Sequence, residues 1–541
     1  MDLQESLQRA LHHLQTGVPA MCVSACDEIL AESPGLIQAL YLRGCAAFET
    51  GDIAMSINDL DIVHNNHPEH LQAAYHLGRS LRAAGKLEEA LEPLQAALSE
   101  DELTIQARYE LATCLARLRR RPEAIHHYQA ILTLQPGDAQ VAANLAALLE
   151  RENRLDEAES WTSKALLMNP TNETAQMTRA TLDRRGGKYL EAEKGLRSLI
   201  PEISNLTNRS IAWNQLGQCL EGQGDWDEAF NAFSESNRIM KKDCTGSLPD
   251  PRGPHSLQTL ARIQEWLQDN PMADWNEPAT NDTGGIAFLV GFPRSGTTLL
   301  DRMLRAHPDI EVVEEKTLFS LLHQDWSEPG TLEGLADLND AQITDARNIY
   351  RREMSRHRRQ PQRSLVIDKL PLNLAYLFLI RRLFPEAPVI FLQRHPMDVC
   401  ISCYFQAFEI EGSMAYFLDI RQTAQYYNAV MQVAVPSMDQ VGGPLHRLRY
   451  EDLVAEPQDQ LMALISFLAL EWHDSILEYL QQGAGQTSNT PSYQQVSQPL
   501  HTRSIGKWRH YSRQLESSVS LLQPWVRRFG YQELDTARSA E

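Results

Sequence analysis

The amino-acid sequence predicts an α-helical solenoid of short repeats, followed by an α/β domain with a mostly parallel sheet. Two observations support this prediction. Small residues recur every 34 positions through the first half of the chain, and short β-rich segments alternate with helical segments in the second half. A chain of 541 residues also exceeds what one hydrophobic core usually organises, so we expect at least two structural units.

Composition and charge narrow the class of protein. Apolar residues make up 43% of the chain and charged residues 22%, which is ordinary for a folded protein. The formal net charge of -21 argues against a general nucleic-acid binder, because nucleic-acid phosphates are held by clustered Lys and Arg. An anionic ligand of this protein therefore needs a local basic pocket.

The sequence favours a cytoplasmic location. The first residues lack a basic segment followed by an apolar core, and no apolar run approaches the length of a membrane span. Eight cysteines spread over this length, several of them on helical faces, are typical of free thiols in a reducing compartment.

The repeat region is defined by residues that recur in register. The recurring small residues are Cys22, Ser56, Ala90, Ala124, Ala158, Ala192 and, after a slightly longer step, Ala229. A second set of small residues lies twelve positions earlier, at Gly44, Gly78, Ala112, Ala146 and Gly217. We expect two helices to approach closely at these positions. Prolines at 34, 68, 136 and 170 fall where the second helix of a unit should end.

Each repeat unit is therefore predicted to be a helical hairpin. The pattern resembles the tetratricopeptide repeat, and the clearest copy runs from Gln215 to Ser236. We predict about seven repeats over residues 1–240 and a linker with one helix, Ser256 to Leu267, over residues 241–284. Such arrays commonly bind a partner on their concave face. The alternative is an array that only caps and solubilises the domain behind it.

The second half is predicted to be one α/β domain over residues 285–530, with a C-terminal tail at 531–541. Predicted strands begin at Ile286, Ser364, Pro388 and Leu445. The first strand runs into the loop Gly291–Thr298 and then into a helical segment. Because loop amides and the helix dipole point to one place, this arrangement predicts an anion site. An ATPase or kinase loop would carry lysine where this chain has Thr297.

A second candidate constellation follows about a hundred residues later. A buried strand ends at Arg394, and a helix carries Ser402 eight residues further on. Both side chains can face the crevice at the carboxyl edge of the sheet. A guanidinium suits phosphate because it forms two parallel, charge-assisted hydrogen bonds.

The two constellations together resemble the sulfotransferase family, which implies 3′-phosphoadenosine 5′-phosphosulfate (PAPS) as the sulfuryl donor and adenosine 3′,5′-bisphosphate (PAP) as the product. The resemblance assigns the 5′-phosphosulfate to the loop and the 3′-phosphate to Arg394 and Ser402. The loop residues so implied are Arg294, Ser295, Gly296, Thr297 and Thr298. No metal is needed, because the donor arrives activated.

The resemblance also implies catalytic residues. The segment AHPDIEVVEE is similar to the tyrosylprotein sulfotransferase branch, which implies Glu315 as the base. VIDKLPLN resembles the family strand that carries a catalytic lysine, here Lys369. Arg294 and Lys369 would stabilise charge on the departing oxygen. The alternatives for the base are Glu314 and, less favoured, His307 and Asp368.

Late motifs extend the implied nucleotide site. RYEDLVAEP and HTRSIGKWRHY are similar to segments that close over the nucleotide in relatives. The residues so implied are Tyr450, Arg503, Ser504, Lys507 and Trp508. Trp508 stacks on adenine or fills the core, and the sequence leaves both open. Gln406 stands where the tyrosylprotein branch has a basic contact, so a less charged grip on the 3′-phosphate is expected.

The predicted function is transfer of a sulfuryl group to a hydroxyl acceptor, with a protein or peptide tyrosine recruited by the repeats as the favoured acceptor. One alternative is an enzyme for a glycan, lipid or small metabolite, with the repeats used for assembly. The other is a scaffold that binds nucleotide without catalysis. The identity of the acceptor and the oligomeric state do not follow from the sequence.

Overall fold

The computed structural model of the chain contains two compact units, Met1–Gly186 and Gly187–Glu541. It describes residues 3–101, 103–243, 253, 255–275, 284–319, 332–410, 412–440, 442–482 and 502–532. Among the described helices, none combines the length and the apolar character needed to cross a membrane.

The N-terminal unit is a helical solenoid, as the repeat pattern predicted. Successive antiparallel helices pack into hairpins, and each hairpin packs on the next. The helices are α1 (Leu3–Gln15), α2 (Pro19–Glu32), α3 (Ile37–Thr50), α4 (Ile53–Asn66), α5 (Leu71–Ala83), α6 (Leu91–Ala97), α7 (Thr104–Arg117), α8 (Arg121–Leu134), α9 (Ala139–Arg151), α10 (Leu155–Met168) and α11 (Glu173–Arg185).

The recurring glycines lie where helices touch, as expected. A Cβ on Gly44 would lie 2.7 Å from Leu60 Cγ, and one on Gly78 would lie 2.4 Å from Leu94 Cγ. Both distances are shorter than real Cβ contacts, so a larger residue would force the two helices of the hairpin apart. The period therefore reflects helix packing within each hairpin.

The C-terminal unit begins with three further helices of the repeat period. These are α12 (Tyr189–Leu199), α13 (Leu206–Gln223) and α14 (Trp226–Asp243). In the hairpin α13–α14, a Cβ on Gly217 would lie 2.8 Å from the ring of Phe233. The period therefore continues to the end of α14, although contacts group these three helices with the residues that follow. The boundaries expected from the sequence stay a prediction.

A five-stranded, wholly parallel sheet forms the centre of the C-terminal unit. Its strands are β1 (Ile286–Gly291), β2 (Ile310–Glu314), β3 (Leu365–Lys369), β4 (Val389–Gln393) and β5 (Leu445–Arg449). The four predicted strands are present. Strand β2 was not predicted, although its run Ile-Glu-Val-Val is rich in β-branched residues.

Helices cover both faces of the sheet. They are α15 (Leu257–Asp269), α16 (Thr297–Arg305), α17 (Asp340–His357), α18 (Leu377–Leu383), α19 (Pro396–Phe405), α20 (Ile420–Gln440), α21 (Tyr450–Ala455), α22 (Pro457–Phe467), α23 (Ser475–Gln482), α24 (Ser512–Leu515) and α25 (Val519–Arg528). Helix α15 occupies the position expected for the linker helix. Parts of the predicted linker and tail, including residues 533–541, lie outside the described residues.

Side chains on the two faces of the sheet differ in character. On one face, aliphatic residues such as Leu289 and Ile367 pack against Leu300 and Leu304 of α16. On the other face, the ring of Phe288 lies among the rings of other aromatic residues. Neighbouring strand residues point to opposite faces, so Lys369 shares the face of Ile367 while Asp368 points to the aromatic side.

The strand order, β2-β3-β1-β4-β5, places the functional loop. From central β1 the chain moves to one side for β2 and β3 and to the other side for β4 and β5. Ligands of parallel α/β sheets bind outside the carboxyl ends of the strands at such a reversal. The loop after β1 and the ends of β2, β3 and β4 therefore meet at one edge.

Candidate active site

The loop between β1 and α16 has a backbone that requires glycine at one position. Gly296 has φ of 104° and precedes the first residue of α16, Thr297. A Cβ there would lie 2.5 Å from Tyr450 Cδ2, so Tyr450 packs directly over the loop. Ser295, Thr297 and Thr298 are buried beneath it. The amides at the start of α16 form the type of N-terminus that holds phosphate groups.

Arg294 connects the loop to α19. Its backbone is left-handed, with φ of 71°, which costs energy in a residue with a side chain. Its Nε donates to Ser402 Oγ at 3.1 Å. Burial, reinforced by the nearby Arg394 charge, lowers the pKa of Arg294 to about 10. The guanidinium remains charged at neutral pH.

Arg394 lies beside Arg294 and contacts the backbone of two other segments. Its Nη1 donates to Arg294 O at 3.0 Å, and its Nη2 donates to Ser504 O. The guanidinium carbon lies 4.9 Å from the centre of the Tyr450 ring. Its Nε is buried and has no hydrogen-bond partner within the described part of the chain. The structure thus brings Arg294, Ser402, Arg394, Tyr450 and Ser504 together.

A second cluster surrounds Lys369 at the end of β3. Lys369 Nζ donates to Glu315 Oε1 at 2.8 Å and to Glu314 Oε1 at 3.1 Å, and it lies 4.0 Å from Asp301 Oδ2. Its side chain is 0% exposed. Burial alone would lower the pKa of this ammonium, but the three carboxylates outweigh burial and the pKa is raised. Lys369 is therefore a fully charged, fixed cation.

The two neighbouring glutamates differ in exposure. Glu314 ends β2 and its side chain is 19% exposed, whereas the Glu315 side chain is 39% exposed. Burial would raise the pKa of Glu314, but Lys369 and then Arg305 lower it overall. Glu315 has a left-handed backbone with φ of 52°. Of the two carboxylates, Glu315 is therefore the more accessible from outside the protein.

Two residues of this cluster, Asp301 and Arg305, were not predicted from the sequence. Asp301 is 0% exposed, and its Oδ1 accepts from Arg305 Nε at 2.5 Å. Burial is the main cause of a raised pKa for Asp301. The sequence pattern that could have indicated this pair is an Asp and an Arg four residues apart on the helix after the loop, because this spacing brings their side chains together.

The two less favoured bases are both held by other groups. His307 Nδ1 accepts from Asp309 N at 3.1 Å, and its Nε2 lies 2.8 Å from Glu471 O. Both ring nitrogens are thus occupied by backbone groups. Asp368 points into the aromatic side of the sheet, where its Oδ2 accepts from Tyr350 OH at 2.8 Å. Neither side chain joins the cluster around Lys369.

The late segment docks on the N-terminal turn of α19. Asp398, which was not predicted, accepts from Gly506 N at 2.7 Å and from Trp508 N at 2.8 Å. Trp508 is 3% exposed and stacks on His395, with ring centres 4.9 Å apart. Of the two roles left open for Trp508, its burial favours filling the core.

The remaining predicted contacts lie further out. Arg503 is exposed, and His501, the first residue of the late motif, lies outside the described residues. Lys507 Nζ lies 2.5 Å from Glu221 Oε1 on α13 and 5.2 Å from the centre of the Phe405 ring. The ammonium of Lys507 is therefore already paired with a repeat helix.

Two family models match parts of the chain. The model of the Sulfotransferase family matches residues 287–474. The Tetratricopeptide repeat model matches residues 41–103 and 107–173. A crystal structure of MamA aligns with 30% of this chain and 94% of its own, at 20% identity and a TM-score of 0.29.

The similar curated proteins include sulfotransferases. An uncharacterized protein of Aquifex aeolicus (strain VF5) is 25% identical over 345 residues, which is 62% of this chain and 44% of that protein. This chain thus spans less than half the length of that relative. Protein-tyrosine sulfotransferase 2 of Gallus gallus is 26% identical over 265 residues, 46% of this chain and 69% of its own. Protein-tyrosine sulfotransferase 1 of Danio rerio is 27% identical over 266 residues, 46% of this chain and 72% of its own.

The glycine loop, the paired arginines and the charged cluster around Lys369 all fall within the stretch that the family model matches. The chain therefore carries tetratricopeptide repeats at residues 41–103 and 107–173, and residues 287–474 after them match the Sulfotransferase family.

Proposed function

We propose that this protein transfers a sulfuryl group from PAPS to a hydroxyl acceptor, and that the favoured acceptor is a tyrosine of a protein or peptide. The observation that carries the proposal is the contact of Lys369 Nζ with both Glu314 and Glu315, at 3.1 Å and 2.8 Å. It supplies a fixed cation and an accessible carboxylate at the sheet edge where the glycine loop ends.

The residues present fit a donor of this kind. The donor supplies a sulfuryl group already activated by its bond to a phosphate. Gly296 begins α16 without a side-chain cap on the helix N-terminus, which suits the 5′-phosphosulfate. Arg394 keeps a buried Nε without a partner in the described structure, which suits the 3′-phosphate. Arg294 and Arg394 together provide a local basic site in an acidic chain.

The roles of the individual residues follow from charge and exposure. Lys369, Arg294 and the loop amides would stabilise negative charge that grows on the departing phosphate oxygen. Glu315 would accept the proton of the acceptor hydroxyl as its oxygen bonds to sulfur, because it is the more exposed carboxylate. Glu314 and Asp301 would hold the Lys369 ammonium in place.

The proposal of a protein or peptide acceptor rests on two findings. Several similar proteins carry the name protein-tyrosine sulfotransferase. The chain also carries tetratricopeptide repeats, whose concave faces bind segments of other proteins. An array that holds the acceptor raises its concentration near the site, which matters when the active site contacts only a short motif.

The experiment is transfer of labelled sulfate from PAPS by the purified chain into a mixed cell extract, with Arg294→Ala as the control. We expect label in acid-precipitable, protease-sensitive material that yields tyrosine sulfate on hydrolysis. Label in soluble or protease-resistant material would indicate a metabolite, lipid or glycan acceptor. Binding of PAP without transfer to any acceptor would indicate a non-catalytic scaffold.

We also propose a cytoplasmic location. The cysteines within the described residues are buried and form no disulfide there: Cys22, Cys26, Cys45, Cys114, Cys219, Cys400 and Cys403. Free thiols are typical of a reducing compartment. A fusion to a fluorescent protein that accumulates in an oxidising compartment would contradict this proposal.

A further inference from the structure

The last helical hairpin, α13–α14, packs closely on the nucleotide side of the sulfotransferase domain. Phe233 stacks on Phe405 at the end of α19, with ring centres 4.0 Å apart and an angle of 18° between the planes. Trp226 stacks on His510 with ring centres 3.9 Å apart. These contacts lie within the compact C-terminal unit. The hairpin is thus built into this unit.

Two buried amides of the hairpin cap the end of α19. Asn214 Nδ2 donates to Phe405 O at 2.8 Å, and Asn237 Nδ2 donates to Tyr404 O at 2.9 Å. The last carbonyls of a helix have no partner within the helix, so buried ones need a partner from elsewhere. Asn214 is 4% exposed and Asn237 is 5% exposed. The C-terminal turn of α19 is therefore fixed by the hairpin.

A carboxylate of the hairpin holds the late segment. Glu221 Oε1 accepts from Tyr511 OH at 2.8 Å and lies 2.5 Å from Lys507 Nζ. One residue of α13 thereby contacts two positions, four residues apart, of the short 3-10 helix Lys507–Tyr511. The late segment is held from one side by Glu221 and from the other by Asp398 of α19.

Both elements held by the hairpin lead directly to the proposed nucleotide contacts. Helix α19 carries Ser402, which accepts from Arg294 Nε at 3.1 Å. The late segment carries Ser504, whose carbonyl accepts from Arg394. Ser402 lies two residues before Tyr404, whose carbonyl Asn237 caps, and three residues before Phe405, whose carbonyl Asn214 caps. A shift of the hairpin would therefore move the proposed 3′-phosphate contacts.

We propose that the hairpin α13–α14 is a positioning element of the nucleotide site, in which Asn214 and Asn237 position Ser402 and Glu221 positions the segment 504–508. This inference rests on the proposed function, because it concerns the same nucleotide. The repeat helices then have two different roles. The last hairpin completes the donor site, and the helices of the N-terminal unit remain available to bind a partner.

The first test uses Asn237→Asp in the full chain, which replaces the amide donor by a carboxylate facing a carbonyl. Glu235→Gln is the matched control, since Glu235 pairs with Arg238 on its own helix. We expect Asn237→Asp to weaken PAP binding on the order of tenfold and to raise KM for PAPS by a similar factor. We expect kcat at saturating PAPS to change less than KM. Asn214→Asp should act in the same way.

A purely structural role would give a different pattern. It would lower the melting temperature while leaving the Kd for PAP and the KM for PAPS unchanged, and that result would overturn the proposal. A fall in kcat alone would overturn it too, because positioning of nucleotide ligands must affect nucleotide binding.

The second test needs no variant and so remains decisive if the variants fail to fold. Amide hydrogen exchange of the unmodified full chain is compared with and without PAP. We expect added protection in α13 and α14 together with residues 401–408 and 504–511, because one packed unit responds as a whole. Protection confined to the domain after the hairpin would overturn this inference alone. Absence of PAP binding would overturn the proposed function with it.

Discussion

Glu315 and Lys369 contact each other twice. The backbone N–H of Glu315 donates to Lys369 O at 2.7 Å, and Lys369 Nζ donates back to Glu315 Oε1 at 2.8 Å. The backbone bond extends the pairing of β2 with β3 by one residue, so the left-handed turn at Glu315 is fixed relative to the lysine. The fold therefore holds a cation and a carboxylate together, an arrangement that suits the proposed electrostatic catalysis.

Replacement of Lys369 tests its proposed electrostatic role. We expect Lys369→Ala to lower kcat about 10²- to 10³-fold, because one preorganised donor is removed from a site with little water. Initial rates with labelled PAPS and a phenol acceptor measure the effect. Lys316→Ala, at an exposed position nearby, is the control and should retain activity. Near-normal turnover of Lys369→Ala would remove Lys369 from the mechanism.

Two isosteric variants distinguish the proposed roles of Glu314 and Glu315. We expect Glu315→Gln to lower kcat about 10²- to 10⁴-fold, the usual contribution of a general base. Glu314→Gln should have a smaller effect, because Glu314 contacts Lys369 and Arg305 and is the less exposed carboxylate. The measurement is kcat for both variants under the same conditions. Equal losses, or a loss only in Glu314→Gln, would assign the base differently.

Sequence patterns predicted those parts of the fold that depend on spacing. Gly44 and Gly78 marked helix contacts because only small residues fit beside Leu60 and Leu94. The glycine loop was recognisable for a similar local reason, since the backbone at Gly296 requires a residue without a Cβ. Local steric constraints restrict the residue type at a position, so they can be recognised in the sequence.

Contacts between residues far apart in the chain could not be recognised in the sequence. Asn214 and Asn237 occupy ordinary positions of the repeat period, and only the fold shows that they cap α19. The pairing of Glu221 with Lys507 joins residues 286 positions apart. Asp398 was missed for the same reason, because its partners are backbone amides of a distant segment. The period predicted the repeats, but it did not show which hairpin packs beside the proposed nucleotide site.

The proposed 3′-phosphate contact is tested by selectivity between two nucleotides. Arg394→Lys keeps the charge but loses the fork of the guanidinium. We expect PAP to bind about 10- to 100-fold more weakly, because charge-assisted hydrogen bonds are lost. Adenosine 5′-phosphosulfate, which lacks the 3′-phosphate, should lose less affinity. Calorimetry gives both values of Kd.

The control for this comparison is Arg447→Lys, since Arg447 lies on β5 and pairs with Asp439. It should leave both affinities unchanged. An equal loss for the two nucleotides in Arg394→Lys would show that Arg394 supports the loop through Arg294 O and Ser504 O without contacting the 3′-phosphate.

The buried carboxyl of Asp368 should make the stability of the C-terminal unit depend on pH. Burial raises the pKa of Asp368 to about 7 from an ordinary value of 3.8, although hydrogen bonds from Tyr350 and Asn373 oppose the rise. Between these values the unfolded chain ionises this carboxyl while the folded chain keeps it protonated. Its contribution to the free energy of unfolding therefore falls as pH rises from about 4 to about 7 and is constant above that.

The measurement is the free energy of unfolding of the C-terminal unit in urea for the natural chain and for Asp368→Asn. Relative to the variant, the natural chain should lose about 3 kcal/mol between about pH 5 and about pH 8. A difference that does not change with pH would show that Asp368 is ionised in the folded state throughout this range.

Truncation at two points tests whether the last hairpin can be separated from the domain. A chain that begins at Gly187 keeps α13 and α14, whereas one that begins at Lys241 exposes Phe405 and Tyr511, which are buried in the full chain. We expect the longer form to bind PAP as the full chain does and to remain monodisperse. The shorter form should aggregate, because large exposed aromatic patches promote association. Light scattering and calorimetry measure these outcomes. If the shorter form is monodisperse and binds PAP as tightly as the full chain, the hairpin is a separable attachment, and its amides and Glu221 are dispensable for the nucleotide site.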